Sequence, residues 1–236
     1  MDVILLAGGQ GSRLRPYTTV LPKPLMPIGD TPVLEVLLQQ VGRLGVRRVT
    51  LAVGYLREII YAYLEPRRAK YPFQLQYVTE DKPLGTVGPA RQVEGIDGTF
   101  LLMNGDILTT LSFADLVAFH KAQGAMMTVA ASRRRVDIDY GVLRLEGARI
   151  VEQVEKPSYH YDVSMGIYVI EPEALAHVPP NTRMDVPDLI RLLIARNDKV
   201  CAYSSDCFWL DIGRAEDYAA AIEEFERRRH EFLPEG

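Results

Sequence analysis

Short unbroken apolar runs alternate along the chain with longer stretches in which apolar residues recur every three or four positions. The run at 3–6 (Val3, Ile4, Leu5, Leu6) predicts a buried strand. From Pro32 onward, Val33, Leu34, Leu37, Leu38, Val41 and Leu44 share one helical face. Asp30 or Thr31 is placed to cap that helix and Gly45 to end it. The same reading gives strands at 49–53, 73–78 and 100–103, with helices at 56–64 and 87–93. A helix at 111–123 is expected between Ser112 as cap and Gly124 as stop, then a strand at 126–132. Residues 140–155 change character and read as a hairpin around Glu146-Gly147. Strands at 165–170 and 200–203, a helix at 186–196 capped by Asp185, and a last helix at 215–232 complete the pattern.

Strands alternating with helices predict an α/β fold: a Rossmann-like, mixed, mainly parallel sheet flanked by helices, with an inserted β-hairpin region. Ligands of such sheets gather beyond the carboxyl ends of the strands. Two segments stand there, the loop after Leu6 and the triplet Asn104-Gly105-Asp106. The loop, residues 5–27, is long for a connection and reads LLAGGQGSRLRPYTTVLPKPLMP. Gly8, Gly9 and Gly11 allow close backbone approach to an anion, while Arg13, Arg15 and Lys23 carry positive charge. Pro22, Pro24 and Pro27 restrict the far end around Lys23. This chemistry suits a polyphosphate.

Composition narrows the classes. With 236 residues there is material for one large domain, and no repeat or linker marks a second, so 1–236 is expected to be a single domain. The net charge of −4 argues against nucleic acid as the main partner. No apolar run approaches the ~20 residues of a membrane span, and no leader precedes the first strand, so a cytoplasmic protein is expected. Cys201 and Cys207 read as small fillers, the four histidines as scattered, and Arg133-Arg134-Arg135 as a solvated run.

The glycine loop lacks the spacing of a P-loop, and it half-matches a dinucleotide fingerprint, with Leu14 at the third position. Its fuller string is more specific. Gly8-Gly9-Gln10-Gly11-Ser12-Arg13-Leu14-Arg15-Pro16-Tyr17-Thr18, followed by Pro22-Lys23-Pro24, resembles the signature of sugar-1-phosphate nucleotidylyltransferases, with the closest motif match to mannose and heptose 1-phosphate guanylyltransferases. The likeness continues through residues 84–89, Asn104-Gly105-Asp106, Tyr140-Gly141-Val142, Glu155-Lys156-Pro157, residues 165–168 and residues 209–213.

The resemblance implies the nucleotide-diphospho-sugar transferase fold, and a reaction of a nucleoside triphosphate with a sugar 1-phosphate. The products would be a nucleoside diphosphate sugar and pyrophosphate. Arg13, Lys23 and Asp106 would be catalytic, and Asp106 and Asp211 would hold Mg2+. Leu6, Ala7, Gly8, Gly9, Gly11, Ser12, Arg13, Glu80, Gly85 and Thr86 would bind the nucleotide. Asn104, Tyr140, Gly141, Glu155, Lys156 and Ser164 would face the sugar, Ser164 standing where many relatives have asparagine. A carboxylate at Glu80 can accept from N1–H and N2–H2 of guanine, which favours GTP over UTP or dTTP. Mannose 1-phosphate, or a related hexose or heptose 1-phosphate, is the expected partner. No C-terminal β-helix domain is expected, and the protein would act as a monomer or homodimer. A non-catalytic regulatory relative would be expected to lack one of Arg13, Lys23, Asp106 or Asp211, and all four are present.

Overall fold

The computed structural model describes residues 1–80 and 82–233. In chain order the strands are β1 (Asp2–Ala7), β2 (Pro27–Ile28), β3 (Thr31–Pro32), β4 (Arg48–Val53), β5 (Gln74–Thr79), β6 (Phe100–Asn104), β7 (Ile107–Thr109), β8 (Met127–Asp137), β9 (Val142–Glu146), β10 (Arg149–Val154), β11 (Ser158–Ile170), β12 (Val200–Ser204) and β13 (Trp209–Asp211). The α-helices are α1 (Val33–Gly42), α2 (Arg57–Leu64), α3 (Phe113–Gln123), α4 (Val186–Ala195), α5 (Ala215–Arg227) and α6 (Arg229–Phe232). Seven strands form the main sheet in the order β12-β8-β11-β6-β1-β4-β5. All of its neighbouring pairs are parallel except those of β11, which runs antiparallel to β6 and β8.

The sheet is buried on both faces, and β1 shows why its sequence is an unbroken apolar run. Val3, Leu5 and Ala7 point to one face, where Leu34, Leu37 and Val41 of α1 and Ile60 of α2 cover them. Ile4 points to the other, among Leu189 and Leu193 of α4 and Val87 and Ala90. A strand with both faces covered has no place for polar alternation. Burial of each such Leu or Ile contributes about 1.5–3 kcal/mol.

Four expectations are corrected. Asp30 and Thr31 do not cap α1: the N-cap is Pro32, because Thr31 and Pro32 pair with β2 while the Asp30 carboxylate accepts from Thr31 Oγ1 at 2.9 Å and pairs with Arg229 at 2.9 Å. The helix at 87–93 is only a 3-10 turn over Gly88–Gln92, since the N–H groups of Val87 and Gly88 donate to Met184 O instead of starting an α-helix. The final helix breaks at Arg228 (φ −118°, ψ 23°) into α5 and the one-turn α6. The strands at 126–132 and 165–170 extend to 11 and 13 residues. Their outer halves pair with each other through exposed residues, Asp162 opposite Arg133 among them. In β8 this half begins with Arg133-Arg134-Arg135, which carries no apolar signal.

The hairpin is observed, as β9 and β10 in a sheet of their own with Gly147 at φ +63° in the turn. Ser112 caps α3 by accepting from Asp115 N–H, and Gly124 ends it in the left-handed region. Both cysteines are free thiols, Cys207 packed against the larger core cluster. Of the histidines, His120 is buried, bonded to Thr128 Oγ1 and Glu171 Oε1. No described helix is long and apolar enough to cross a membrane.

Candidate active site

The register of the parallel strands aligns four chain segments at one edge. Ala7 lies beside Val53, Val53 beside Thr79, and Leu6 beside Asn104. The residues that follow each strand, Gly8, Gly54, Glu80 and Gly105, therefore leave the sheet together. Their backbones are cross-linked where they leave: Glu80 N–H donates to Val53 O, Tyr55 N–H to Gly8 O, and Gly105 N–H to Leu6 O. Beyond this edge lies a cavity of about 550 Å3, whose lining includes Leu6, Gly8, Gly9, Glu80, Gly85, Thr86, Asn104 and Asp106.

Eight of the expected residues thus meet at one cavity, and the others take three different positions. The rest of the glycine loop folds into three 3-10 turns, Ser12–Leu14, Tyr17–Thr19 and Lys23–Leu25. Ala7, buried, ends β1 beneath the cavity. Gly11 sits at φ +59°, where a Cβ would fall 2.8 Å from Thr18 Cγ2, so the turn requires glycine. Ser12 and Arg13 follow it, exposed. The guanidinium of Arg13 reaches Gly213, two residues past Asp211: a Cβ there would stand 3.3 Å from Arg13 Nη2.

The second position is a charged cluster beside the cavity. Lys23, one-tenth exposed, hydrogen-bonds Asp106 Oδ2 through Nζ and stands 3.6 Å from Asp211 Oδ1. A short ladder assembles it: β13 pairs with β7, Asp211 facing Ile107, and Ile212 N–H donates to Asp106 O. Burial pushes the Asp106 carboxyl above its ordinary range; the Lys23 ammonium opposes this and the Asp211 charge adds to it. Two carboxylates converging on one cation are a hard-oxygen donor set that suits a divalent ion such as Mg2+. No cluster of three or more acidic, His or Cys ligands occurs among the described residues, so an ion held there would complete its shell with water or phosphate oxygens.

Third, of the six residues expected around the sugar, Asn104 lines the cavity while Tyr140, Gly141, Glu155 and Lys156 gather at the exposed root of the hairpin. Gly141 is packed against Glu155 there, a Cβ falling 2.9 Å from Oε2, and Lys156 takes φ +44°. Ser164 Oγ lies 3.1 Å from Tyr168 OH, where the pairing of β11 with β8 shifts register.

Glu80 is held as well as placed. Its Oε2 accepts from Leu84 N–H at 2.8 Å, and burial pushes its pKa up from 4.5 against that hydrogen bond. The segment at 84–88 is clamped in turn. Gly85 has φ +80°, and a Cβ would lie 2.4 Å from Met184 O, so only glycine lets the two backbones meet. Thr86 N–H donates to Asp185 Oδ1, and Val186 N–H to Thr86 Oγ1. Gln10, Gly54, Tyr55, Lys82, Pro83 and Arg183 also line the cavity and were not anticipated. Gly54 carried a usable signal, since it follows β4 as Gly8 follows β1. Arg183 and Asp185 carried none, lying about a hundred residues from their partners.

Residues 2–228 match the family model described as nucleotidyl transferase. The chain belongs to that family. Among curated relatives of this nucleotidyl transferase, the "mannose-1-phosphate guanylyltransferase catalytic subunit beta" of Dictyostelium discoideum is 31% identical over 229 residues, covering 94% of this chain and 64% of the relative. The "mannose-1-phosphate guanyltransferase" of Schizosaccharomyces pombe is 32% identical, covering 92% of this chain and 62% of the relative. The chain thus spans just under two thirds of the length of these relatives. Among solved structures, HddC from Yersinia pseudotuberculosis superposes with TM-score 0.72 at 24% identity, over 95% of this chain and 99% of that one. A UDP-glucose pyrophosphorylase complexed with UDP-glucose gives TM-score 0.71 at 20% identity, over 97% and 99%. At these identities the two structures establish the nucleotide-diphospho-sugar transferase fold.

Proposed function

We propose that this nucleotidyl transferase is a sugar-1-phosphate guanylyltransferase. It joins GTP with mannose 1-phosphate, or a related hexose or heptose 1-phosphate, to give a GDP-sugar and pyrophosphate. The observation that carries the reading is the Lys23–Asp106–Asp211 cluster standing beside the strand-edge cavity. The guanylyltransferase relatives support it, as does an HddC structure complexed with GMP-PN.

The attacking atom is an oxygen of the sugar phosphate, already anionic, so no general base is required. It forms a bond to the α-phosphorus as the bond to the β-phosphate oxygen breaks, and pyrophosphate departs with that electron pair. Leu6, Ala7, Gly8 and Gly9 underlie the nucleoside, while Gly11, Ser12 and Arg13 meet the β- and γ-phosphates. Glu80, Gly85 and Thr86 face the base, with Glu80 accepting from N1–H and N2–H2 of guanine. Lys23 offsets the charge of the two phosphates as they approach, which is where an anion–anion reaction needs help. Asp106 and Asp211 would hold Mg2+, which when bound would neutralise phosphate charge and polarise the phosphorus. Asn104, Tyr140, Gly141, Glu155, Lys156 and Ser164 form the sugar side, the hairpin residues reaching it across the open cleft.

The domain, taken as 1–236, acts as one catalytic unit in the cytoplasm, as a monomer or homodimer. A UTP- or dTTP-dependent enzyme is the second reading, because N3–H of a pyrimidine can also donate to Glu80, and the UDP-glucose pyrophosphorylase shares the fold. Pyrophosphate release with Mg2+, five nucleoside triphosphates and a panel of sugar 1-phosphates tests both. GTP should give the highest rate; a UTP or dTTP maximum favours the second reading, and no release from any pair overturns the first and second together.

A further inference from the structure

The cavity offers a carboxylate at Glu80 and, on a different chain segment, a guanidinium at Arg183. We propose that Arg183 is a specificity-determining residue that donates to O6 and N7 of guanine, opposite the edge that Glu80 reads; this rests on the guanylyltransferase reading above. Guanine presents donors at N1 and N2 and acceptors at O6 and N7. An acceptor and a forked donor at one cavity match both sets, and an Arg fork matches O6 and N7 together. Adenine carries a donor at N6 in place of O6, so it opposes the same guanidinium with the wrong polarity.

Arg183 is held in register with the base loop although its side chain is largely exposed. Its neighbour Met184 donates through N–H to Leu84 O at 3.0 Å and accepts through O from Val87 N–H at 3.1 Å and Gly88 N–H at 3.3 Å. Asp185 accepts from Thr86 N–H at 3.0 Å. Glu80 is tied to the same loop by Leu84 N–H at 2.8 Å. The Glu80 carboxylate and the backbone that carries Arg183 are therefore anchored to one loop from two sides. The ion pair of Arg183 with Asp185 is 3.5 Å long and engages one Nη, leaving other N–H groups to donate. Lys82 also lines the cavity, but an ammonium is a point charge without the fork.

The test is equilibrium binding of GTP, 7-deaza-GTP, ATP and UTP, without sugar phosphate, to the wild type, Arg183→Met, Arg183→Lys and Lys82→Met. The wild type should prefer GTP to ATP and bind 7-deaza-GTP more weakly than GTP. Arg183→Met should lose about 10- to 100-fold in GTP affinity, keep its ATP and UTP affinities, and bind GTP and 7-deaza-GTP alike; Arg183→Lys should recover part of the loss. Equal losses for all four nucleotides would make Arg183 a phosphate contact and overturn the proposal. So would an unchanged GTP-to-ATP ratio in Arg183→Met, or loss of that ratio in Lys82→Met instead. A wild type without any guanine preference would overturn the guanylyltransferase reading and this proposal with it; a preference that survives Arg183→Met overturns this proposal alone.

Discussion

The segment at 84–88 and the hairpin of β9 and β10 are both short, turn-centred stretches, and their surroundings are opposite. The first is held by six backbone or side-chain hydrogen bonds to residues 184–186, and Leu84 and Val87 within it are buried. The second leaves Leu143, Leu145 and Ile150 exposed, and its charges pair across the ribbon, Arg144 Nε to Glu152 Oε2 at 2.9 Å. A base that must be distinguished by a few hydrogen bonds needs donors and acceptors fixed before it arrives. The two segments thus contrast a cross-braced, buried turn with an exposed ribbon.

Substitutions can break this contrast at several strengths. The largest effect is expected outside both segments, at the Lys23–Asp106–Asp211 cluster. Asp106→Asn or Lys23→Met should lower turnover by roughly 10²-fold or more, measured as pyrophosphate release with the fold checked by circular dichroism. Gly85→Ala comes next, because its Cβ would collide with Met184 O at 2.4 Å. It should destabilise the protein by about 1–3 kcal/mol and raise KM for GTP, read from thermal melts and initial rates. In the hairpin, Arg144→Ala removes an exposed pair and should cost less than about 1 kcal/mol with KM for GTP unchanged. A large rise in that KM would show that the hairpin belongs to the nucleotide side.

A pH series sharpens the same contrast. Burial raises the Glu80 pKa above 4.5, so the protonated form is favoured relative to an exposed glutamate. Selectivity for GTP should be full above that raised pKa and fall as the pH drops through it, because a protonated carboxyl loses an acceptor. Glu80→Gln should lower GTP selectivity and flatten the profile. A profile in the variant identical to the wild type would remove Glu80 from base recognition.

The parts of this arrangement that sequence revealed are those whose signal is local. The apolar run of β1 and the glycines after it, the caps of α3, and the turn at Gly147 are each written within a dozen residues. What stayed hidden depends on distant partners. The ladder of β7 and β13 is three residues long on each side, yet it sets Asp106 beside Asp211. Short strands of that kind have too few positions to show a period. The segment at 87–93 reads as a helix but forms only a 3-10 turn over Gly88–Gln92, because the N–H groups of Val87 and Gly88 find Met184 O, about a hundred residues on. Arg183 was illegible for the same reason. The outer half of β8 is hidden because charged residues such as Arg135 and Asp137, paired at 2.7 Å, replace apolar alternation there, whereas Tyr159, Tyr161 and Val163 of β11 do alternate with polar residues.

Guanylyl transfer at the strand edge, as proposed, places Lys23 and Asp106 in the reacting cluster. Its most direct measurement is pyrophosphate release from GTP and mannose 1-phosphate in the presence of Mg2+, for the wild type and for Asp106→Asn at equal folded concentration. The wild type should show steady release that depends on both substrates, with roughly a hundredth of that rate or less in the variant. Release at equal rates in the two proteins would contradict it.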